Sequence, residues 1–97
     1  MFNRLFFLVA VVALLAFLPS VVAQAADESF CREYAKVAVD QARDAERHER
    51  CDGPRHHDPA RWQRDFRGHY DWCRGAHRED ADAERAERDR TLDRCAR

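Results

Sequence analysis

The sequence predicts a small all-α domain in which three helices run up, down and up, are held by two disulfides and follow a signal peptide. Three observations lead to this fold class. The N-terminal segment is almost uncharged, whereas the rest of the chain is rich in charge. Four cysteines, at positions 31, 51, 73 and 95, are almost evenly spaced. Between them, apolar residues recur at steps of three and four, as on one face of a helix.

Residues 1–25 have the organisation of a secretory signal peptide. A single basic residue, Arg4, precedes fourteen apolar residues, and small side chains follow up to an A-x-A sequence that ends at Ala25. Cleavage is expected after Ala25, with cleavage after Ala23 as the alternative. An uncleaved membrane anchor is disfavoured, because Pro19 ends an apolar stretch shorter than the roughly 20 residues of a spanning helix.

The expected mature domain, residues 26–97, is therefore periplasmic or secreted, and contacts a membrane only through the signal peptide before cleavage. It holds all 18 acidic residues and all but one of the 17 Lys and Arg residues. Its aliphatic side chains larger than Ala are Val37, Val39 and Leu92. So few apolar side chains exclude a multidomain enzyme and a domain held by an apolar core alone.

The cysteines are expected to supply the missing stability. Successive cysteines are separated by 19, 21 and 21 residues. This spacing fits neither the C-x-x-C of redox enzymes nor the close pairs of zinc sites. In an exported chain, which meets an oxidising compartment, an even number of cysteines predicts structural disulfides among Cys31, Cys51, Cys73 and Cys95.

The first helix is predicted within residues 27–50, with Asp27 or Ser29 as its cap. Its apolar residues recur every three or four positions, which places them on one face. The Gly-Pro pair at residues 53–54 is expected to stop helical geometry.

The second helix is predicted to begin at the Asp-Pro pair of residues 58–59, because Asp is a good cap and Pro suits the first helical position. Trp62, Phe66 and Tyr70 follow at four-residue steps and form one aromatic stripe along it. Gly75 is expected to end this helix.

A third helix is predicted from about residue 76 to residue 96. It consists mostly of Ala, Glu, Asp and Arg, so it is interpreted as a solvated charged face. Glu84 and Arg88 form an i,i+4 ion pair on it, worth a few tenths of a kcal/mol.

The expected order of the helices favours one pairing of the cysteines. With short connections and alternating directions, Cys31 and Cys73 lie at one end, which favours the disulfides Cys31–Cys73 and Cys51–Cys95. In the chain-entropy model, each of these disulfides stabilises the folded domain by roughly 4 kcal/mol, because it closes a long loop in the unfolded chain. The alternative, Cys31–Cys95 with Cys51–Cys73, suits a two-helix hairpin and stays open. The expected core consists of Tyr34, Val37, Ala38, Trp62, Phe66, Tyr70, Trp72 and Leu92.

A longer pattern runs through the mature chain. It reads C-x-x-YA, A-x-x-Q, C-x-G with nearby Pro-Arg and Arg-Trp pairs, an acidic-aromatic pair, H-x-x-WC and a last Cys. It is carried by Cys31, Tyr34-Ala35, Ala38, Gln41, Cys51, Gly53-Pro54-Arg55, Arg61-Trp62, Asp65-Phe66, His69, Trp72-Cys73 and Cys95. This pattern resembles that of a group of small, exported, largely uncharacterised proteins of proteobacteria, from which residues 56–60 depart as an insertion. The resemblance implies an exported, disulfide-stapled helical domain and implies no activity.

Residues for nucleophilic catalysis are scarce in the mature chain. Its hydroxyl nucleophiles are Ser29 and Thr91, and its thiols are expected to be oxidised. A single Lys and no Gly-rich phosphate loop leave hydrolase, transferase and nucleotide-binding functions without their usual parts. We therefore expect no enzymatic activity, no catalytic residue and no cofactor.

The histidines supply an alternative function. Four of the five lie in or beside the central segment: His48, His56, His57 and His69. His56 and His57, with neighbouring carboxylates, offer a loose site for Zn²⁺, Cu²⁺ or Ni²⁺, so periplasmic divalent-metal binding is the alternative. A solvated loop explains the same residues, and no metal ligand is assigned. His69 is expected to hydrogen-bond within the fold.

The aromatic stripe and the arginines beside it are candidates for stacking a sugar or a peptide, or for holding an anionic glycan or lipid headgroup. A role in the core is favoured, because the chain has few other large apolar side chains. Acidic residues match the arginines nearly one for one, which disfavours nucleic acid as a partner. The sequence thus predicts a binding or structural module whose partner is an unidentified protein or cell-envelope ligand.

Overall fold

The computed structural model describes residues 25–97, which form four α-helices and one short 3₁₀ turn. The helices are α1 (Glu28–Glu46), α2 (Asp52–His57), α3 (Phe66–Arg74) and α4 (Arg78–Cys95), and the 3₁₀ turn is Glu49–Cys51. Within this range, extended backbone pairs only in an isolated antiparallel bridge between Ala25 and His77. The all-α prediction is confirmed, whereas the predicted signal peptide, apart from Ala25, lies outside the described residues.

Helix α1 is the central element, because both α3 and α4 pack against it. Its start is fixed by Asp27, whose Oδ1 atom accepts a hydrogen bond of 2.8 Å from the backbone N–H of Phe30. This cap satisfies one of the N–H groups that have no partner inside the helix. The buried face of α1 is built largely from small side chains: Ala35, Ala38, Ala42 and Ala45. The neighbouring helices can therefore approach it closely.

Helix α2 forms where the sequence predicted a stop. Gly53 and Pro54 lie in its first turn. There the backbone N–H groups have no intrahelical partner, so a proline removes no hydrogen bond. The prediction was wrong because the Gly-Pro pair begins a new helix, while α1 has already ended at Glu46.

Helix α3 begins later than predicted. Asp58 Oδ1 accepts a hydrogen bond of 3.2 Å from the backbone N–H of Arg61, so Asp58 caps a turn and not the helix. The helical cap is Asp65, which accepts from the backbone N–H of Arg67 at 3.1 Å. Trp62 therefore precedes the helix, and the predicted aromatic stripe is divided between a turn and α3.

Two aromatic residues predicted for the core are at the surface instead. Phe66 is 43 % exposed and Trp72 is 45 % exposed. Helix α3 buries His69 and Cys73, because the disulfide of Cys73 fixes which side of this short helix faces α1. The other predicted core residues are buried or half-buried: Tyr34, Val37, Ala38, Trp62, Tyr70 and Leu92.

Each disulfide lies in one of two small apolar clusters. All four cysteines are bonded, with Cα–Cα distances of 5.5 Å in Cys31–Cys73 and 5.1 Å in Cys51–Cys95. This is the pairing that the expected helix order favours. The first cluster contains Cys31, Cys73, Ala26, Tyr34 and Ala81. The second contains Cys51, Cys95, Ala45, Trp62 and Leu92.

The outer faces of the helices are charged. On α4, Arg85 pairs with Asp82 at 2.7 Å and Arg90 with Glu87 at 2.8 Å. Each exposed pair of this kind contributes little to stability. Within residues 25–97, no helix combines the length and the apolar character needed to cross a membrane.

Removal of either disulfide is expected to destabilise the domain strongly. Replacing Cys31 and Cys73 together by Ala, or Cys51 and Cys95 together, should lower the free energy of unfolding by about 2–5 kcal/mol. Urea denaturation followed by helical circular dichroism measures this loss, and full reduction should remove most of the helical signal. Four thiols that titrate in the native protein without denaturant would contradict the expectation.

Candidate functional site

A half-open cavity of about 250 Å³ lies between α1, α3, α4 and the turn that precedes α3. Its walls include Tyr34, Arg61, His69, Trp72, Glu84 and Arg88. Three of these groups, Tyr34, Arg61 and His69, have pKa values displaced from their ordinary range. A cavity that collects perturbed titratable groups is the first candidate for a functional site.

Arg88 is the buried charge of this cavity. It is only 1 % exposed, whereas the sequence interpretation placed it on a solvated face of the third helix. That interpretation was wrong for this residue, because α4 turns Ala81, Arg88, Leu92 and Cys95 toward the other helices. These positions follow one another at steps of seven, four and three, a helical spacing that is visible in the sequence. The pattern was missed because an arginine interrupts it.

Two of the three nitrogen atoms of the Arg88 guanidinium, Nε and Nη1, lie near an acceptor. Its Nε atom donates a hydrogen bond of 2.7 Å to Oε1 of Gln41. The Gln41 amide in turn donates to Oδ1 of Asp89 at 2.8 Å, which fixes its orientation. The Nη1 atom of Arg88 lies 3.8 Å from Oε2 of Glu84. The Arg88 Cζ atom also lies 5.0 Å from the centroid of the Tyr34 ring, close enough for a cation–π interaction.

The Nη2 atom of Arg88 has almost no accessible surface and makes no hydrogen bond of good geometry within residues 25–97. The Tyr34 hydroxyl interacts with the same guanidinium group. Leaving a buried donor unsatisfied costs roughly 1–3 kcal/mol, and more for a charged group. Arg88 therefore combines an uncompensated buried donor with a place in the lining of the cavity.

Arg61 and Glu84 form the polar wall opposite the aromatic side chains. Arg61 donates two hydrogen bonds to the Glu84 carboxylate, from Nε at 3.0 Å and from Nη2 at 2.8 Å. This bidentate contact with Glu84 raises the pKa of Arg61, so the guanidinium stays charged. Asp58 lies 3.5 Å from Arg61 Nε, and its side chain is more exposed than that of Glu84.

The aromatic wall consists of Tyr34, His69 and Trp72. The Tyr34 and Trp72 rings lie 5.5 Å apart between centroids, and the Tyr34 and His69 rings lie 6.4 Å apart, edge to face. Burial raises the pKa of Tyr34, and the neighbouring Arg88 opposes this change, so the hydroxyl keeps its proton at neutral pH. Tyr34 is buried, whereas half-exposed Trp72 stands where the cavity meets solvent.

His69 ties α3 to the preceding turn. Its Nε2 atom lies 2.7 Å from the carbonyl oxygen of Gln63, and because a carbonyl only accepts, Nε2 carries a proton and donates it. Burial lowers the pKa of His69, although the Gln63 carbonyl opposes this, so the ring is neutral at pH 7. The expectation that His69 hydrogen-bonds within the fold is confirmed.

The histidines of the alternative metal-binding prediction lie elsewhere. His56 and His57 are exposed on α2. His48 lies 3.6 Å from Asp44 at the end of α1. In the part of the chain that the structure describes, no group of three or more His, Cys, Asp or Glu side chains is arranged to hold a metal ion.

A second, more open cleft of about 540 Å³ borders the Cys51–Cys95 disulfide. Arg50 and Arg94 are among its walls. Both already have acceptors: Arg94 donates to Thr91 Oγ1 at 3.3 Å, and Arg50 donates to the carbonyl oxygen of Arg97 at 3.2 Å. This cleft is the weaker candidate, because its arginines are satisfied and face solvent.

Comparison of the chain with protein-family models, with curated proteins and with solved structures gave no match. The functional assignment therefore depends on the geometry of the cavity.

Acidification is expected to destabilise the domain through His69. The pKa of this residue is lower in the folded chain than the value of about 6.5 in an unfolded chain, so below pH 6.5 the unfolded chain binds the proton first. The stability that His69 contributes is therefore complete above about pH 6.5 and is lost as the pH falls toward the folded pKa.

Urea denaturation at pH 7 and at pH 5 measures this dependence. The loss of stability between the two pH values should be smaller in His69→Gln, because the glutamine amide does not titrate and can still donate to a carbonyl. An equal loss in the wild type and in this variant would show that other groups cause it.

Proposed function

We propose that this protein is an exported, non-catalytic binding module that holds a small ligand in the Arg88 cavity. One observation carries the proposal: a fully buried arginine whose Nη2 atom has no hydrogen-bond partner is among the residues that line a half-open cavity. Unsatisfied buried donors are rare in folded proteins, and a bound acceptor removes their cost.

The disulfides support a role outside the cytoplasm. Structural disulfides form and persist mainly in oxidising compartments, and the signal-like residues 1–25 supply a route to one. Export to the periplasm or secretion, and membership in the group of exported proteobacterial proteins that the cysteine pattern resembles, are part of the proposal.

The up-down-up order of the longer helices, α1, α3 and α4, is also part of the proposal. The Cys31–Cys73 bond joins the start of α1 to the end of α3, which suits opposite directions. The Cys51–Cys95 bond joins the 3₁₀ turn after α1 to the end of α4, which suits equal directions for α1 and α4. This order places the cavity between the two cross-links.

Export is tested by producing the full chain in a proteobacterium and measuring its location and mass. The product should be found in the periplasm or the medium, begin at Ala26 or Gln24, and lack free thiols. Leu14→Arg, which places a charge in the apolar stretch, should keep the chain in the cytoplasm. Wild-type protein that stays in the cytoplasm with residues 1–25 attached would contradict export.

Ligand binding is tested with a panel of small, water-soluble fragments that includes acids, amines, amides and sugars, screened by nuclear magnetic resonance. Fragments should bind the wild type and shift the side-chain N–H signals of Arg88 and Trp72. Gly68→Met should abolish this binding, because a Cβ at Gly68 already meets the Gln63 amide at 2.7 Å and a longer side chain extends into the cavity.

Gly53→Met is the matched control. It makes the same replacement on α2, where a Cβ has no heavy atom within 4 Å, and it places the new side chain beside the second cleft. Both variants should fold, because Met has a higher helix propensity than Gly. Fragment binding that is lost in Gly53→Met and retained in Gly68→Met would overturn the assignment to the Arg88 cavity, as would a wild type that binds no fragment.

A further inference from the structure

The charged side chains that line the Arg88 cavity balance one another. Two are positive and two are negative: Arg61, Arg88, Asp58 and Glu84. Opposite charges lie close together, since Arg61 is 2.8 Å from Glu84 and 3.5 Å from Asp58, and Arg88 is 3.8 Å from Glu84. Burial opposes the charged forms of the two other titratable groups of the lining, Tyr34 and His69. A charged ligand of either sign therefore meets no excess of the opposite charge, which favours a neutral ligand.

Three of these charged side chains are open to a ligand. The side chain of Asp58 is 42 % exposed, and those of Arg61 and Glu84 are each 28 % exposed. The hydrogen bonds from Arg61 to Glu84 use two of the five N–H groups of the guanidinium. A carboxylate accepts at about four positions, so Asp58 and Glu84 also keep hydrogen-bonding capacity. Buried Arg88 contributes its charge to the balance, and no contact between its guanidinium and the ligand is needed.

Adjacent donors and acceptors of this kind suit hydroxyl groups. A hydroxyl donates one hydrogen bond and accepts others at the same oxygen atom. It can therefore donate to the Asp58 carboxylate while it accepts from Arg61, and hydrogen bonds with one charged partner are stronger than neutral ones. An ammonium group only donates and a carboxylate only accepts, so neither makes both contacts. A neutral ligand with several hydroxyl groups fits this wall best.

The aromatic wall selects the shape of that ligand. Trp72 lines the cavity and is 45 % exposed, and the buried Tyr34 ring lies behind it at 5.5 Å between centroids. The face of an aromatic ring is negative, so it attracts the C–H groups on the flat side of a sugar ring. The cavity volume of about 250 Å³ lies below the range of about 300–1,000 Å³ that holds drug-sized molecules, which suits a single ring.

We infer that the Arg88 cavity binds one neutral sugar ring, a pyranose. Hydroxyl groups of the ring hydrogen-bond to Asp58, Arg61 and Glu84, and its C–H side packs on Trp72. This inference rests on the proposed function, since it names the ligand class of the same cavity.

The test uses the methyl glycosides of glucose, galactose and mannose, titrated into the native, disulfide-bonded protein. At least one should bind and shift the side-chain N–H signals of Trp72 and Arg61. The uronate and the 2-amino sugar of the same ring add one negative and one positive charge. Each should bind about tenfold more weakly, because burial of an unbalanced charge is costly. A charged analogue that binds as tightly as the neutral ring, or shifts confined to Trp62 at the second cleft, would overturn the inference.

The aromatic contact is tested with two matched variants on α3. Trp72→Ala should weaken binding of the neutral ring by about tenfold or more, because the exposed ring face is lost. Phe66→Ala is the control, since Phe66 is 43 % exposed on the same helix and does not line the cavity. It should leave binding unchanged. Equal effects of the two substitutions would contradict the role of Trp72.

The charge balance is tested with Asp58→Asn. An asparagine side chain can still accept from the backbone N–H of Arg61, so the turn should be kept. The cavity then has one excess positive charge, and the uronate should gain affinity relative to the neutral ring by about tenfold. Asp82→Asn removes an exposed carboxylate outside the cavity and should not change this ratio. An unchanged ratio in Asp58→Asn would contradict the balance of charges, and with it the preference for a neutral ligand.

Two further comparisons identify the source of the ring and separate the two proposals. Cellobiose and lactose end in glucose and galactose rings, respectively. Binding of the disaccharide at least as tight as that of the methyl glycoside supports the end of a glycan chain, and weaker binding supports a free sugar. Other fragments that occupy the cavity while every neutral sugar fails would overturn the sugar class and leave the proposed function intact. Failure of all fragments and all sugars would overturn both.

Discussion

The two disulfides are the constraint on which the rest of the structure depends. Cys31–Cys73 attaches α3 to the start of α1, and Cys51–Cys95 attaches the end of α4 to the turn after α1. Each bond lies in its own small apolar cluster, because residues 26–97 contain too few large apolar side chains for one continuous core. With both ends of the bundle cross-linked, the middle need not be apolar. A buried arginine and an open cavity can be tolerated there.

The region between the two clusters contains both the contact of α1 with α4 and the proposed binding cavity. Small alanines on α1 let α4 approach closely, and Gln41 and Arg88 bridge the two helices through a hydrogen bond of 2.7 Å. The bridge satisfies the Nε atom of the guanidinium, whereas the Nη2 atom keeps no hydrogen-bond partner within residues 25–97. The same side chain therefore holds the helices together and presents an unpaired donor. Variants of Arg88 need a folding control for that reason.

Much of the fold could be predicted from local patterns in the sequence, and the candidate site could not. Spacing and composition gave the all-α class, the oxidised cysteines and the cap of α1, because each depends on neighbouring residues. The start of α3 was misjudged, since Asp58 and Asp65 are both good caps and tertiary contacts of Trp62 decide between them. The burial of Arg88 was missed because a charged residue interrupts the buried positions of α4, and because its partner Gln41 lies 47 positions away. Composition alone cannot reveal such a pair.

The short bridge at the start of the described chain bears on the proposed removal of the leader, residues 1–25. Ala26 is 3 % exposed, its N–H donates to the carbonyl oxygen of Ala76 at 3.3 Å, and Ala25 pairs with His77. A peptidase needs extended, accessible backbone on both sides of the bond that it cuts. If the leader is removed after Ala25, that bond is available only while the first cluster is still open. Cleavage after Ala25 must then precede packing of the first cluster. A domain in which this cluster packs first keeps its leader and resists the peptidase.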